Sequence, residues 1–106
     1  MKRIAITNAF GKWFNIQNAD KYSESRYWDG SNHISLATGS QWEHEAIYVT
    51  KGGTFVLNHW SNYQGTLETY VIVSKEEAAI WFAKQGFSDE DIPSVFHEEV
   101  SLLEIK

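Results

Sequence analysis

Glu45, His59 and Tyr70 are the residues of this chain whose types could together handle a proton. A carboxylate beside an imidazole fixes the ring's tautomer and raises its basicity, and a phenol beyond it can give or take the proton. Such a trio is a candidate small-ligand site or, in its catalytic form, the centre of a weak hydrolase. The competing reading is a polar network closing one end of a hydrophobic core, structural provided every member is satisfied. No serine stands in an obvious partner position, cysteine is absent, and no oxyanion loop can be placed, so no catalytic residue is assigned. Glu43, His44, Glu45 and His59 are all metal-ligating types, but strand alternation sends His44 to the face opposite Glu43 and Glu45. Neither a metal nor a cofactor is assigned.

The trio depends on a three-stranded meander, for which the stretch from Trp42 to Val73 carries the pattern. Runs of β-branched and aromatic residues are separated by Lys51-Gly52-Gly53 and by Tyr63-Gln64-Gly65. A three-residue loop at 51–53, with a glycine in the left-handed region, sets Val49 opposite Phe55, Ile47 opposite Leu57 and Glu45 opposite His59. A two-residue turn at Gln64-Gly65 then sets Leu57 opposite Ile72 and His59 opposite Tyr70. One face of this sheet carries Ile47, Val49, Phe55, Leu57 and Ile72, and is the side that must meet a core. The reverse carries His44, Tyr48, Val56, Asn58, Trp60, Val71 and Val73.

The remaining elements follow from local signals. Lys2 to Thr7 alternates and predicts a strand with Ile4 and Ile6 on one side; Lys12 to Ile16 predicts another bearing Phe14 and Ile16. Asn18 is placed to cap a helical turn over 19–22. Residues 23–41 have little periodicity and read as a strand at Arg26-Tyr27-Trp28 followed by a long loop, packed down by Tyr27, Trp28, Ile34, Leu36 and Trp42. Ser74-Lys75-Glu76-Glu77 is a capping box, opening a helix that Gly86 ends and that offers Ala78, Ala79, Phe82 and Ala83 to the sheet. Pro93 starts a second, shorter helix containing Val95, Phe96, Glu99, Val100 and Leu103. The expected fold class is α+β: an antiparallel meander of four to five strands with one or two helices packed on one face, forming a single domain over 1–106.

Composition narrows the function classes. The chain has 106 residues, 15% of them aromatic and none of them cysteine, so rings rather than disulfides must supply its core. Its formal charge is −5, with the acids weighted toward the C-terminal half. Nucleic-acid binders usually pair stacking rings with a basic stripe, which makes nucleic acid an unlikely partner here. The longest apolar run, Ala78 to Ala83, is far short of a membrane span. The segment after Met1-Lys2-Arg3 is too polar for a signal sequence, so the expected location is cytoplasmic.

These features predict a non-enzymatic protein-interaction module. Its partner-binding residues are Tyr48, Asn58 and Trp60 on the reverse sheet face, if that face is open, with Tyr63 and Gln64 at the turn. If the N-terminal segments cover the face, it is ordinary core. A homodimer, or an acidic inhibitor of a basic nucleic-acid-handling protein, would both use such a surface; a single-strand nucleic-acid binder is the third reading. The combination of Gly39-Ser40-Gln41-Trp42-Glu43-His44-Glu45, Trp60-Ser61-Asn62-Tyr63-Gln64-Gly65 and Glu76-Glu77-Ala78-Ala79-Ile80-Trp81-Phe82 resembles a family of small uncharacterised bacterial proteins associated with mobile genetic elements. That resemblance implies no activity, cofactor or site residue. It implies a setting in which a host factor is antagonised or regulated.

Overall fold

The Lys51-Gly52-Gly53 corner closes as its sequence requires. Gly53 sits at φ 84°, its N–H donates to the Thr50 carbonyl at 3.0 Å, and the Thr50 N–H donates to the Thr54 carbonyl at 2.9 Å. From this corner run β6 (Glu43–Val49) and β7 (Phe55–Ser61), paired antiparallel with Glu45 opposite His59, Ile47 opposite Leu57 and Val49 opposite Phe55. The structure is a computed structural model that describes residues 1–63 and 65–106. It is α+β, built on a four-stranded antiparallel sheet in the order β3-β6-β7-β8, with β3 at Asp20–Ser23 and β8 at Thr69–Val73. Two further ribbons flank it: β1 (Arg3–Ala5) with β2 (Trp13–Asn15), and β4 (Arg26–Trp28) with β5 (His33–Ser35).

One sheet face meets the helices. Ser74 caps α1 (Lys75–Lys84): its hydroxyl accepts from the Glu77 N–H at 3.1 Å and the Glu77 carboxylate accepts from the Ser74 N–H at 3.2 Å. Ala78 and Ala79, both fully buried, let the helix lie close to the strands. Phe82 then reaches Tyr22 at 5.3 Å and Phe96 at 4.9 Å between ring centroids. Ile47, Val49, Phe55, Leu57 and Val73 complete this core from the sheet, and Ile92 and Phe96 from the segment leading into α2 (His97–Ser101). The second helix is shorter than its sequence suggests, being preceded by a 3₁₀ turn at Ser94–Phe96.

The reverse face is also covered. The β1–β2 ribbon lays Ile6 and Phe14 on Tyr48 and Val56, with Tyr70 beside them. It also pins the free edge of β8. Thr7 N–H donates to the Tyr70 carbonyl and Thr7 Oγ1 accepts from the Tyr70 N–H, while Asn8 exchanges the same pair of bonds with Ile72. Edge groups that would template another strand are thereby used up.

Three expectations need correction. The β7–β8 connection spans 62–68 rather than a two-residue turn, and Gln64 lies outside the described residues. Leu57 pairs with Val71, and His59 with Thr69 rather than Tyr70. A one-residue shift exchanges the faces: Tyr70 and Ile72 turn to the ribbon side, Val71 and Val73 to the helix side. The Thr7-Asn8 bonds and an Asn58 Nδ2 bond to the Thr69 carbonyl at 3.1 Å hold this register. Residues 20–23 form a strand, not a helical turn; Asn15 caps a 3₁₀ turn at Ile16–Asn18 instead. The 23–41 segment contains a hairpin whose corner is fixed by Asp29 Oδ1 accepting from the Ser31 and Asn32 N–H groups. Its Tyr27, Trp28 and Leu36, with Trp42, stay exposed rather than packing it down.

Phe82 contacts both the sheet and the segment around Phe96. Phe82→Ala is expected to cost about 3–5 kcal/mol, read by urea denaturation. Ile80→Ala, on the exposed side of the same helix, should cost less than about 0.5 kcal/mol. Equal losses for the two variants would contradict this packing.

Candidate functional site

Between β3 and β4 only Glu24 and Ser25 intervene, and this short link drives the Glu24 side chain inward until it is 2% exposed. Its carboxylate accepts four hydrogen bonds. Arg26 Nε at 2.7 Å and His44 Nδ1 at 2.8 Å meet Oε2; Ser35 Oγ at 2.8 Å and the Glu45 backbone N–H at 2.6 Å meet Oε1. Burial alone would raise the Glu24 pKa. The Glu45, Arg26, His44 and Ser35 bonds outweigh it and hold the carboxyl below its ordinary range. On the other side of the ring, His44 Nε2 accepts from Asn62 Nδ2 at 3.1 Å, and the Asn62 N–H donates to the Trp42 carbonyl at 2.9 Å.

This chain of contacts holds structure in place and offers no reactive atom. His44 is 4% exposed and both ring nitrogens are engaged, so no substrate proton can reach it. What the network does is tie the β4–β5 hairpin, the 36–42 loop and the start of the β7–β8 connection to one end of the sheet. Aromatic rings project from those three segments. Trp42 and Tyr63 pack with centroids 5.3 Å apart and ring planes tilted by 37°, at 43% and 58% exposure, and Trp28 packs edge-on against His33 at 5.1 Å.

Of the sequence-predicted polar trio, Glu45 and His59 lie opposite each other on neighbouring strands and Tyr70 does not join them. Tyr70 lies among Phe14 and Tyr48, and its hydroxyl donates to Glu68 Oε1 at 3.1 Å. Burial, then the Glu68 contact, raises the phenol's pKa far above its ordinary value. Glu45 borders a groove of about 280 Å³ with Leu57, Ile80, Trp81 and Lys84. Burial pushes its carboxyl above the ordinary range, against the opposing pull of His59, the Trp81 indole N–H and Lys84. Trp81 Nε1 is buried and forms no hydrogen bond of good geometry. No hydroxyl or thiol lines this groove. His59 Nε2 also lies 3.7 Å from the half-exposed Glu43 carboxylate. Among the described residues, no three His, Asp or Glu side chains converge as a metal would require.

The predicted partner-binding set divides. Tyr48 and Asn58 are 6% and 2% exposed beneath the β1–β2 ribbon and the Glu68 segment, so neither is available to a partner. Trp60 is half-buried, packed by His44 and capped by the Lys21 ammonium at 5.9 Å from its ring. Tyr63 is displayed at the end of the sheet, and Gln64 lies outside the described residues. Glu24 is the residue that sequence reasoning missed. It sits in the Ser-rich stretch Ser23-Glu24-Ser25 with no periodicity to place it. The chain matches no protein-family model, and neither the curated proteins nor the solved structures give a match to it.

Glu24 and Glu45 should carry opposite pH signatures. Glu24 has a lowered folded pKa, so its stabilisation is complete above the unfolded carboxylate value of about 4.5 and is lost as pH falls through the folded value. Glu24→Ala strands His44 Nδ1 and the Glu45 N–H and is expected to cost about 3–5 kcal/mol at pH 7. That deficit should shrink in acid. Glu45 has a raised folded pKa, so the native state loses stability as pH rises from the unfolded value through the folded one. Glu45→Gln is therefore expected to be more stable than the parent at pH 7 and to lose that advantage below about pH 4.5. Urea denaturation across a pH series from about 3 to about 8 reads both; a pH-independent difference for either variant contradicts its assignment.

Proposed function

We propose that this chain is a non-enzymatic protein-interaction module that engages its partner through the aromatic end of the sheet. The observation that carries this is the Trp42–Tyr63 pair, its rings in tilted contact and solvent-facing, positioned by the buried Glu24–His44 contact and by Asn62 beside it. Rigid aromatic side chains bury a large area with little loss of rotamer freedom, and they dominate the energetics of many interfaces. Tyr27 and Trp28 on the β4–β5 hairpin are also exposed, one on each face of that ribbon. The charge around the aromatics is acidic: Asp29 and Glu43 are exposed, while the nearby Arg26 is spent on Glu24.

The partner that fits is a protein surface with an apolar centre and a cationic rim, such as the nucleic-acid-binding face of a host factor. Electrostatic complementarity of this kind speeds encounter and rejects acidic surfaces. An inhibitor or regulator from a mobile element would use such a surface. The hydrolase reading is not preferred, because the Glu45–His59 pair has neither its third member nor a nucleophile beside it. A single nucleic-acid strand would have to approach a chain of net charge −5.

Affinity capture from lysate, comparing the parent with a Trp42→Ala, Tyr63→Ala double variant, tests the proposal. Both positions are exposed, so the variant should keep its thermal midpoint within a few degrees. It is expected to lose at least about tenfold of a partner enriched by the parent, a loss of roughly 1.4 kcal/mol or more, and that partner should have a basic surface. Equal enrichment by the two baits, or no partner enriched by the parent, defeats it.

A further inference from the structure

The helix-covered side of the sheet and the ribbon-covered side differ in charge. Residues 1–19 contain Lys2, Arg3 and Lys12 and no acid, whereas residues 75–106 contain eight acids and three lysines. The acidic excess of the chain therefore belongs to the helices, and the β1–β2 ribbon is locally basic.

On this basic side the ribbon does not close fully onto the sheet. A cavity of about 460 Å³ remains between it and the β6–β7 corner, within the usual range for small-molecule sites. Its apolar lining comes from Ile6, Phe14 and Val56, all buried, with Ile72 beside them. Trp13 forms part of the wall, 49% exposed and backed by the Arg3 guanidinium at 4.8 Å from its ring. The charged residues lining the cavity are Lys12, from the ribbon, and Lys51, from the corner. Neither is ion-paired among the described residues. Thr50 and Thr54 of the corner also line the cavity, the Thr50 hydroxyl accepting from the Thr54 N–H at 3.0 Å.

We propose that this cavity is a binding site for a small organic anion, a carboxylate carried on a flat or short aliphatic apolar body. The body would occupy the space above Phe14 and Val56, against the Trp13 indole. The carboxylate would meet the Lys12 and Lys51 ammonium groups at the mouth. Two lysines lining one apolar cavity, with no ion pair among the described residues, select for charge as well as shape: a cationic ligand is repelled, and a neutral one forgoes the charge-assisted bonds. The site is separate from the Trp42–Tyr63 surface and stands whether or not that surface binds a protein.

The test uses the full chain, isotopically labelled, titrated with 1-naphthoate and in parallel with the neutral 1-naphthalenemethanol. The expected result is a dissociation constant for naphthoate below about 1 mM. Amide shifts should centre on Ile6, Phe14, Gly52 and Val56, with Trp13 fluorescence changing in step. The neutral compound should bind about tenfold more weakly, and added salt should narrow the gap. A Lys12→Gln, Lys51→Gln double variant, both changes lying at the surface, should lose about tenfold for naphthoate and little for the alcohol. The proposal is overturned if naphthoate causes no shifts at these residues or moves residues at the aromatic end instead. It is equally overturned if both compounds bind alike and the lysine changes have no effect, since the cavity would then be an apolar cleft without anion selectivity.

Discussion

Both faces of the β3-β6-β7-β8 sheet carry apolar residues that need cover, and the rest of the molecule is arranged to meet that constraint. A strand buried on one side only can alternate apolar with polar residues. β6 cannot: Ala46, Ile47 and Tyr48 are consecutive and all buried. Helix α1 serves one face through Ala78, Ala79 and Phe82, and the β1–β2 ribbon serves the other through Ile6 and Phe14. The ribbon has a second task, since Thr7 and Asn8 satisfy backbone groups on β8 that would otherwise remain an open edge. Covering the reverse face and closing that edge are consequences of one segment lying where it does.

The end of the sheet where neither cover reaches is organised by polar contacts. A buried carboxylate is costly unless its lone pairs are filled, and Glu24 fills them from four different residues on three different segments. Because these donors come from β4, β5 and β6, satisfying one charge fixes three pieces of backbone at once. The exposed aromatic rings at this end inherit their positions from that network rather than from packing against one another alone. Gln85 plays a related part on the helix side, accepting from the Ser25 N–H at 2.7 Å and so joining α1 to the same short link.

Much of the architecture was legible because its determinants are local. The Gly53 corner, the Ser74 capping box and the β6–β7 register each depend on residues close in sequence, and each formed as expected. The Glu45–His59 pairing followed directly from the corner, since a tight turn counts residues outward in both directions. The β7–β8 register was different. A seven-residue connection does not dictate pairing, and the choice was made by Thr7 and Asn8, more than sixty residues away in the chain. Tyr70 therefore lies on the ribbon side in an aromatic cluster, and only Glu45 and His59 share the helix side. Tyr48 and Asn58 lost their candidacy for the same reason: whether a sheet face is open depends on what else packs there.

Local sequence was enough to place the Gly53 corner, the Ser74 cap, the central strand pair and the α+β class, because those follow from backbone preferences and side-chain periodicity over a few residues. Only the tertiary structure decided which carboxylate is buried, which rings face water and where an unfilled cavity remains. Desolvation and hydrogen-bond satisfaction are properties of assembled surfaces. A glutamate flanked by serines carries no local mark of the four donors that will surround it.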